Sequence, residues 1–283
     1  MLHFQVIPVR LEFVARDYLY LPPGKESNIF RGALGSALRK ISEAEYTRIF
    51  DPRWNTGPSG YADAPRPFVL RSPSRDGEIA PGQSFACDLF LFDTLPSTRS
   101  ILCDAFTLAA ATGLGPTKAK AELTSFETRE PARKFPLFGA PGSGTLRLRF
   151  ATPTQLKGSG GVLAEPQFPV LIHRLAERIR ALGRLYQNWP ADWDGAEPLN
   201  IAESVNLTRW EWTRTDVFRR SARNGQQHSI GGFTGWAEYT GPLAAFLPLL
   251  EIGRWTGVGR QTVWGNGEIR IEATAPSTPS EGA

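Results

Sequence analysis

Between Leu2 and Val14 apolar and polar residues alternate in two phases, with Leu2, Phe4 and Val6 in one parity and, after Pro8, Val9, Leu11 and Phe13 in the other. Successive side chains of a strand point to opposite faces, so the pattern predicts a strand whose register changes at the proline. Past Pro22-Pro23-Gly24, the residues Phe30, Leu34, Ala37, Leu38 and Ile41 recur at three- and four-residue spacing, as the buried face of a helix requires, with Ser27 or Asn28 available as its cap. A polar connection with Pro52, Pro58, Pro65 and Pro67 follows. Strands are predicted at Phe68 to Arg71 and Phe85 to Phe92 around a Pro81-Gly82 turn, then a helix from Ser97 to Ala111 closed by Gly113, then a strand from Ala119 to Glu127. The order is β-α-β-β-α-β.

The segment Phe135 to Gly144, with two prolines and three glycines, reads as a linker, and beyond it the same order returns. Strands are predicted at Leu146 to Phe150, Val205 to Trp212, Gly232 to Tyr239 and Glu268 to Glu272, and helices at Phe168 to Tyr186 and Pro242 to Arg254. The fold class is therefore α+β, two tandem ferredoxin-like domains over residues 1–134 and 145–273. In 274–283 Pro, Ser and Thr dominate, which predicts a disordered tail.

Composition supports this division, since 283 residues suit two ordinary domains and 41% apolar against 21% charged residues can build real cores. The net charge of +4 permits a polyanionic partner without demanding one. Arginine outnumbers lysine 26 to 6, which suits bidentate phosphate recognition and is equally what GC-rich coding produces. Cys87 and Cys103 are too few and too far apart for a disulfide framework or a C-x-x-C metal site, and read as reduced and buried. The amino terminus has no signal-peptide pattern and no run of about 18 apolar residues exists, so a cytoplasmic chain without membrane spans is expected. No clustered His/Asp/Glu set suggests a metal, and no cofactor is implied.

Chemistry concentrates near the end. Gly257-Val258-Gly259-Arg260-Gln261-Thr262-Val263-Trp264-Gly265-Asn266-Gly267 is a glycine-rich stretch whose backbone N–H groups can turn toward phosphate. It lacks Gly-Lys-Ser/Thr and runs from helix to strand, the reverse of a nucleotide-binding P-loop. Before it stand Gly231-Gly232-Phe233-Thr234-Gly235-Trp236 and a helix ending Leu249-Leu250-Glu251-Ile252-Gly253. Upstream are Phe30-Arg31-Gly32-Ala33-Leu34-Gly35, Thr112-Gly113-Leu114-Gly115 and Phe150-Ala151-Thr152-Pro153-Thr154-Gln155-Leu156-Lys157. Taken together these pieces resemble, over nearly the full length, the CRISPR repeat-RNA processing endoribonucleases of the RAMP superfamily.

The resemblance implies CRISPR repeat RNA as partner, metal-independent cleavage by the RNA's own 2′-hydroxyl, and 5′-hydroxyl and 2′,3′-cyclic phosphate ends. Many family members carry a catalytic histidine shortly after the first helix, whereas Lys40-Ile41-Ser42-Glu43-Ala44-Glu45-Tyr46 contains none. Of His3, His173 and His228, the last lies in a basic connection and suits general acid–base work. Arg31 and Arg39 are expected to stabilise the phosphorane, with Tyr46 or Lys25 donating or relaying a proton. Arg214, Arg219, Arg220 and Arg223 are expected to meet RNA phosphates, and Gly257, Gly259, Arg260, Thr262, Trp264, Gly265 and Gly267 to hold its backbone. Trp210 and Trp212 share a strand face that is either buried or a stacking platform. The competing readings are a non-catalytic RNA-binding subunit that associates with other CRISPR effector subunits, and a generic ferredoxin-like RNA-binding protein.

Overall fold

A computed structural model of the chain describes residues 2–52, 64–71, 77–128, 132–158, 161–163, 165–190, 199–215, 218–220, 227–229 and 231–272. The first half runs β1 (His3–Ala15), β2 (Leu19–Leu21), α1 (Glu26–Ile41), a short α2 (Glu43–Glu45) continuing into a π-helical turn (Tyr46–Phe50), β3 (Phe68–Arg71), β4 (Gly77–Ile79), β5 (Ser84–Leu91), α3 (Pro96–Thr112), β6 (Ala121–Thr128) and β7 (Arg133–Pro136). The second half runs β8 (Gly144–Thr154), β9 (Lys157–Gly158), β10 (Gly161–Val162), α4 (Phe168–Tyr186), β11 (Asn206–Thr215), β12 (Phe218–Arg220), β13 (Gln227–Ser229), β14 (Gly232–Gly241), α5 (Leu247–Thr256), a 3-10 turn (Thr262–Trp264) and β15 (Ile269–Glu272). Strand order is β3-β5-β1-β6 in the first sheet and β11-β14-β8-β15 in the second, with antiparallel pairing throughout. Counting only the four principal strands of each half, both sheets have the order 2-3-1-4, which is the ferredoxin-like arrangement predicted from the element order.

The change of phase at Pro8 has a structural cause. β1 is one continuous strand, but Phe4 and Val6 are buried in the core of the second half, whereas Val9, Leu11, Phe13 and Ala15 are buried on the opposite face, in the core of the first. Its beginning pairs with β7, Phe4 opposite Phe135, and its remainder with β6, with a register irregularity at Glu12/Phe13. The residues Phe135 and Pro136, read as linker, thus form strand. Without β7 that edge of β1 would leave backbone groups unpaired inside the molecule.

α1 and α3 cover one face of the first sheet. Val69, Phe90 and Phe92 on its other face join the second core, where Phe90 meets the Trp255 ring edge-on at 5.1 Å. α4 matches its predicted limits, because Leu171, Ile172, Leu175, Ile179 and Leu182 form an uninterrupted buried stripe. Two helix starts differ from expectation. α1 begins at Glu26 after Lys25, without a side-chain cap; Ser27 is already inside the helix, and the Glu26 carboxylate accepts instead from the Gly24 N–H at 3.0 Å. The predicted helix from Pro242 opens as a 3-10 turn, Ala244–Phe246, before α5, whose first turn accommodates Pro248 because no N–H is needed there. Cys87 is buried as expected, and burial pushes its thiol pKa up, but Cys103 is only partly buried on α3.

Polar groups then fix how the halves meet. The Gln187 side-chain amide donates to the carbonyls of Gln5 (2.8 Å) and Phe92 (2.9 Å), while its Oε1 accepts from the Gln5 N–H (2.9 Å). Arg71 on β3 donates to the Arg254 carbonyl at the end of α5 (2.6 Å) and faces Glu268 at 3.4 Å. Burial pushes the Arg71 pKa down to about 10, against the opposing pull of Glu268, so the guanidinium is charged at neutral pH. No helix among the described residues is long and apolar enough to cross a membrane. The residues 274–283 lie outside the described residues.

Replacing Phe4 by Ala should destabilise the whole chain by about 3–5 kcal/mol, because a fully buried ring shared between the halves is removed. His3→Ala, one exposed position away, should cost less than about 0.5 kcal/mol. Denaturant unfolding curves of the two variants check the contrast.

Candidate functional site

Three of the residues proposed for chemistry, Arg31 and Arg39 of α1 and Tyr46 of the π-helical turn after it, stand together. The guanidinium of Arg31 lies 4.5 Å from the Phe50 ring and 5.4 Å from the Trp264 ring. Phe50 stacks on Tyr46 at 5.2 Å, and Tyr46 in turn carries the Arg39 guanidinium at 4.0 Å. The result is one continuous run of cations and rings, Arg39, Tyr46, Phe50, Arg31, Trp264, with each cation–π contact worth about 0.5–2 kcal/mol depending on exposure. Arg39 also pairs with Glu43 at 3.3 Å, an exposed contact of little energetic weight.

Gly35 makes this run possible. A β-carbon there would lie 2.4 to 2.9 Å from three Phe50 ring atoms, so only the missing side chain lets the ring lie against the helix. The π-helical turn that carries Tyr46 and Phe50 is anchored beneath by Arg48, which donates to Glu45 (2.7 and 2.9 Å), to Thr98 (2.6 Å) and to the buried Asp93. Burial opposes the charge of Arg48, but Glu45 and Asp93 outweigh it and its pKa is raised.

The glycine-rich stretch reaches this site from the other half of the chain. Val263 is buried in the first core and Trp264 packs against it. Gly265 is so close to the first half that a β-carbon would lie 2.9 Å from the Leu70 carbonyl and 3.3 Å from Ser27 Oγ. The loop is closed on itself and on the Thr152-to-Gln155 segment: Val258 N–H donates to Gly267, Gly267 N–H to Pro153, Arg260 N–H to Gln155, Gly265 N–H to Thr262 and Gly257 N–H to Gly253. Those N–H groups already have acceptors within the protein. Gly267, at φ 75°, would place a β-carbon 2.0 Å from the Val258 carbonyl, and Gly259, at φ 81°, would place one 2.4 Å from that of Gln155. These glycines serve close backbone packing, and the side chains that the loop leaves accessible are the exposed Arg260 and the half-buried Gln261, Trp264 and Asn266. Thr262 is buried.

The other proposed residues lie elsewhere. Arg214 is exposed near the end of β11. Arg219 and Arg220 lie on β12, where Arg219 is opposite His228 of β13; only the backbone of this hairpin is described, and Arg223 lies outside the described residues. His3 and His173 are exposed at the start of β1 and on α4. Trp212 is packed against Phe233 at 4.8 Å, whereas Trp210 beside it is 42% exposed, so the two divide the readings between them. Phe50 and Gly35 are the residues of this site that sequence reading missed. Phe50 follows a polar stretch without helical period, and Gly35 looks like a weak helix residue until its neighbour is known.

Two ferredoxin-like units, the first helix of one meeting the glycine-rich loop of the other, define a tandem RAMP-type protein. A model of the family described as CRISPR-associated endoribonuclease Cas6 matches residues 148–269, and a model described as an N-terminal domain matches residues 4–149. The second half of the chain thus matches the Cas6 family of CRISPR-associated endoribonucleases, and the protein is of the Cas6 type. Among solved structures it is similar to the product complex of the Thermus thermophilus Cas6 TTHB231, at 19% identity and TM-score 0.62, over 95% of this chain and 99% of that one. It is also similar to the Cas6 TTHA0078 product complex, at 19% identity and TM-score 0.57, over 95% and 100%. A further similarity, at 9% identity and TM-score 0.56, is to a chain of a Cas6-RT-Cas1–Cas2 complex, covering 96% of this chain and 29% of that one. These likenesses concern the fold. A comparison with curated proteins found no match.

Substituting Gly35 by Val should expel the Phe50 ring from α1, costing about 1–3 kcal/mol and releasing Arg31 from one of its two rings. A lower melting temperature with altered near-ultraviolet circular dichroism is the expected readout.

Proposed function

We propose that this chain binds CRISPR repeat RNA in the cytoplasm and cuts precursor RNA within each repeat, with residues 1–134 and 145–273 as its two modules. The observation that carries the reading is the meeting of Arg31 and Trp264: a cation on the first helix and an aromatic of the glycine-rich loop in direct contact across the two halves. A phosphate lying along this junction would face Arg31 and Arg39 on one side and the exposed Arg260 on the loop.

In the proposed reaction the O2′ of one nucleotide attacks its own 3′-phosphate. The O2′–P bond forms and the P–O5′ bond breaks, leaving a 2′,3′-cyclic phosphate on one fragment and a 5′-hydroxyl on the other. A base must take the O2′ proton and an acid must supply one to O5′. Arg31 and Arg39 stabilise the negative charge that builds on the phosphorane, and their contact with ring faces fixes them before RNA arrives, so little reorganisation is needed in the transition state. His228, in the β12–β13 hairpin among Arg219, Arg220 and Arg223, is the proposed proton carrier, with Tyr46 as a relay beside Arg39. The hairpin arginines and Arg214 meet RNA phosphates.

A second reading is favoured by one observation: no histidine stands between Lys40 and Tyr46, the stretch in which many relatives of the family carry the catalytic one. On that reading the chain holds RNA without cutting it, as a subunit bound to other CRISPR effector components.

Pure protein incubated with repeat RNA in EDTA separates the two: cleavage to a cyclic-phosphate end is expected, and tight binding with intact RNA would leave only the second reading standing. Arg31→Ala should lower the single-turnover rate by about 10²–10³-fold with a much smaller change in affinity. His228→Ala should lower the rate similarly. Parent-like rates in both variants would overturn these assignments.

A further inference from the structure

The proposed cleavage site uses only one flank of α1. On the other flank α1 and α3 leave a groove lined by Ala33, Ser36, Ala37, Lys40, Ala109, Thr112, Gly113 and Lys118. Its floor is alanine. Ala37 and Ala109 are almost completely buried, and their small side chains keep the helices close without filling the space above. Ser36 and Lys40 stand one helical turn apart on α1, Thr112 ends α3, and all three are exposed, as is Lys118 opposite them.

The position of Lys118 is fixed by an unusual backbone. It has φ 55°, a left-handed conformation that a side chain disfavours. The turn that imposes it is tied by reciprocal bonds between Leu114 and Ala119 (2.8 and 3.1 Å), and by the bond from Lys118 N–H to the Gly115 carbonyl. Gly113, at φ 118°, comes so near that a β-carbon would lie 2.2 Å from the Lys118 carbonyl. The Thr112-Gly113-Leu114-Gly115 motif is thereby absorbed into a device that sets Lys118 beside the groove.

The chemistry of the lining is one-sided. The lining residues include two lysines, one serine and one threonine, and no Asp or Glu. Among the described residues no acid pairs with either lysine. Two like charges brought to one small groove repel each other, and a bound anion relieves that repulsion while accepting from both ammoniums and both hydroxyls.

We infer that the groove between α1 and α3 binds a phosphate of the RNA backbone, at a place separate from the Arg31 and Trp264 junction. The inference rests on the RNA-binding part of the function proposed above. An RNA strand crossing α1 then meets Arg39 and Arg31 along one flank of the helix and Lys40, Ser36 and Lys118 along the other. The groove reads phosphate and not bases, so it adds affinity for any RNA sequence.

The test is the salt dependence of binding, measured by fluorescence anisotropy with repeat RNA and with an unrelated single-stranded RNA of equal length. The variant combines Lys40→Ala with Lys118→Gly, since glycine keeps the left-handed backbone at 118 while removing the ammonium. An unchanged melting temperature is expected. The slope of log affinity against log salt should become shallower by about 0.7 for both RNAs, because each single-strand phosphate that the protein neutralises adds about 0.7 to it and the groove holds one. An unchanged slope overturns the assignment, even if the parent cuts its repeat normally. Stabilisation of the parent but not the variant by inorganic phosphate, with an unchanged RNA slope, would make the groove a small-anion site and overturn the RNA assignment. Failure of the parent to bind either RNA overturns both this inference and the proposed function. If the parent binds without cutting, the catalytic reading falls and the slope still decides the groove.

Discussion

One strand belongs to two cores, and the rest of the molecule is arranged around that fact. Because β1 changes phase at Pro8, Phe4 and Val6 bury on one face and Val9, Leu11, Phe13 and Ala15 on the other. Its first residues therefore demand cover from the second half, which α4 and α5 supply, and demand a backbone partner, which β7 supplies. The two ferredoxin-like units are joined by shared hydrophobic area and not only by a connecting segment. Such area is non-directional, so the orientation is set by the polar contacts of Gln187 with Gln5 and Phe92 and of Arg71 with Arg254 and Glu268.

That fixed orientation carries the glycine-rich loop to α1. Val263 enters the first core, and with it Trp264 comes to rest against Arg31. The glycines of the loop act by omission: each allows a carbonyl or a neighbouring helix to approach where a β-carbon would collide. Much of the backbone hydrogen bonding of the loop is engaged in holding this shape, which shifts the work of meeting a ligand onto Arg260, Trp264 and the arginines of α1. The same device recurs at the far side of α1, where Gly113 and the strained Lys118 set a lysine against a groove.

Electrostatics separates structural from functional arginines in a chain that has many. Arg48 and Arg71 face carboxylates at the base of the site and at the junction of the halves, where removing one partner would strand a buried charge. Arg31 and Arg39 lie on ring faces, and the carboxylate beside Arg39, that of Glu43, is exposed. A ring attracts the cation without neutralising it.

From the sequence came the two β-α-β-β-α-β halves, the phase change at Pro8, the limits of α4 and the residue types suited to RNA, because hydrophobic periodicity and turn residues are local quantities. Local pattern also misled it in places: Phe135 and Pro136 looked like linker because proline and glycine surround them, and Ser27 looked like a cap although it lies buried inside α1. The composition of the site lay beyond reach for the same reason. Phe50, Gly35 and Trp264 acquire meaning only from one another, and their meeting is set by how two sheets pack, a long-range outcome of shared burial that no window of sequence contains.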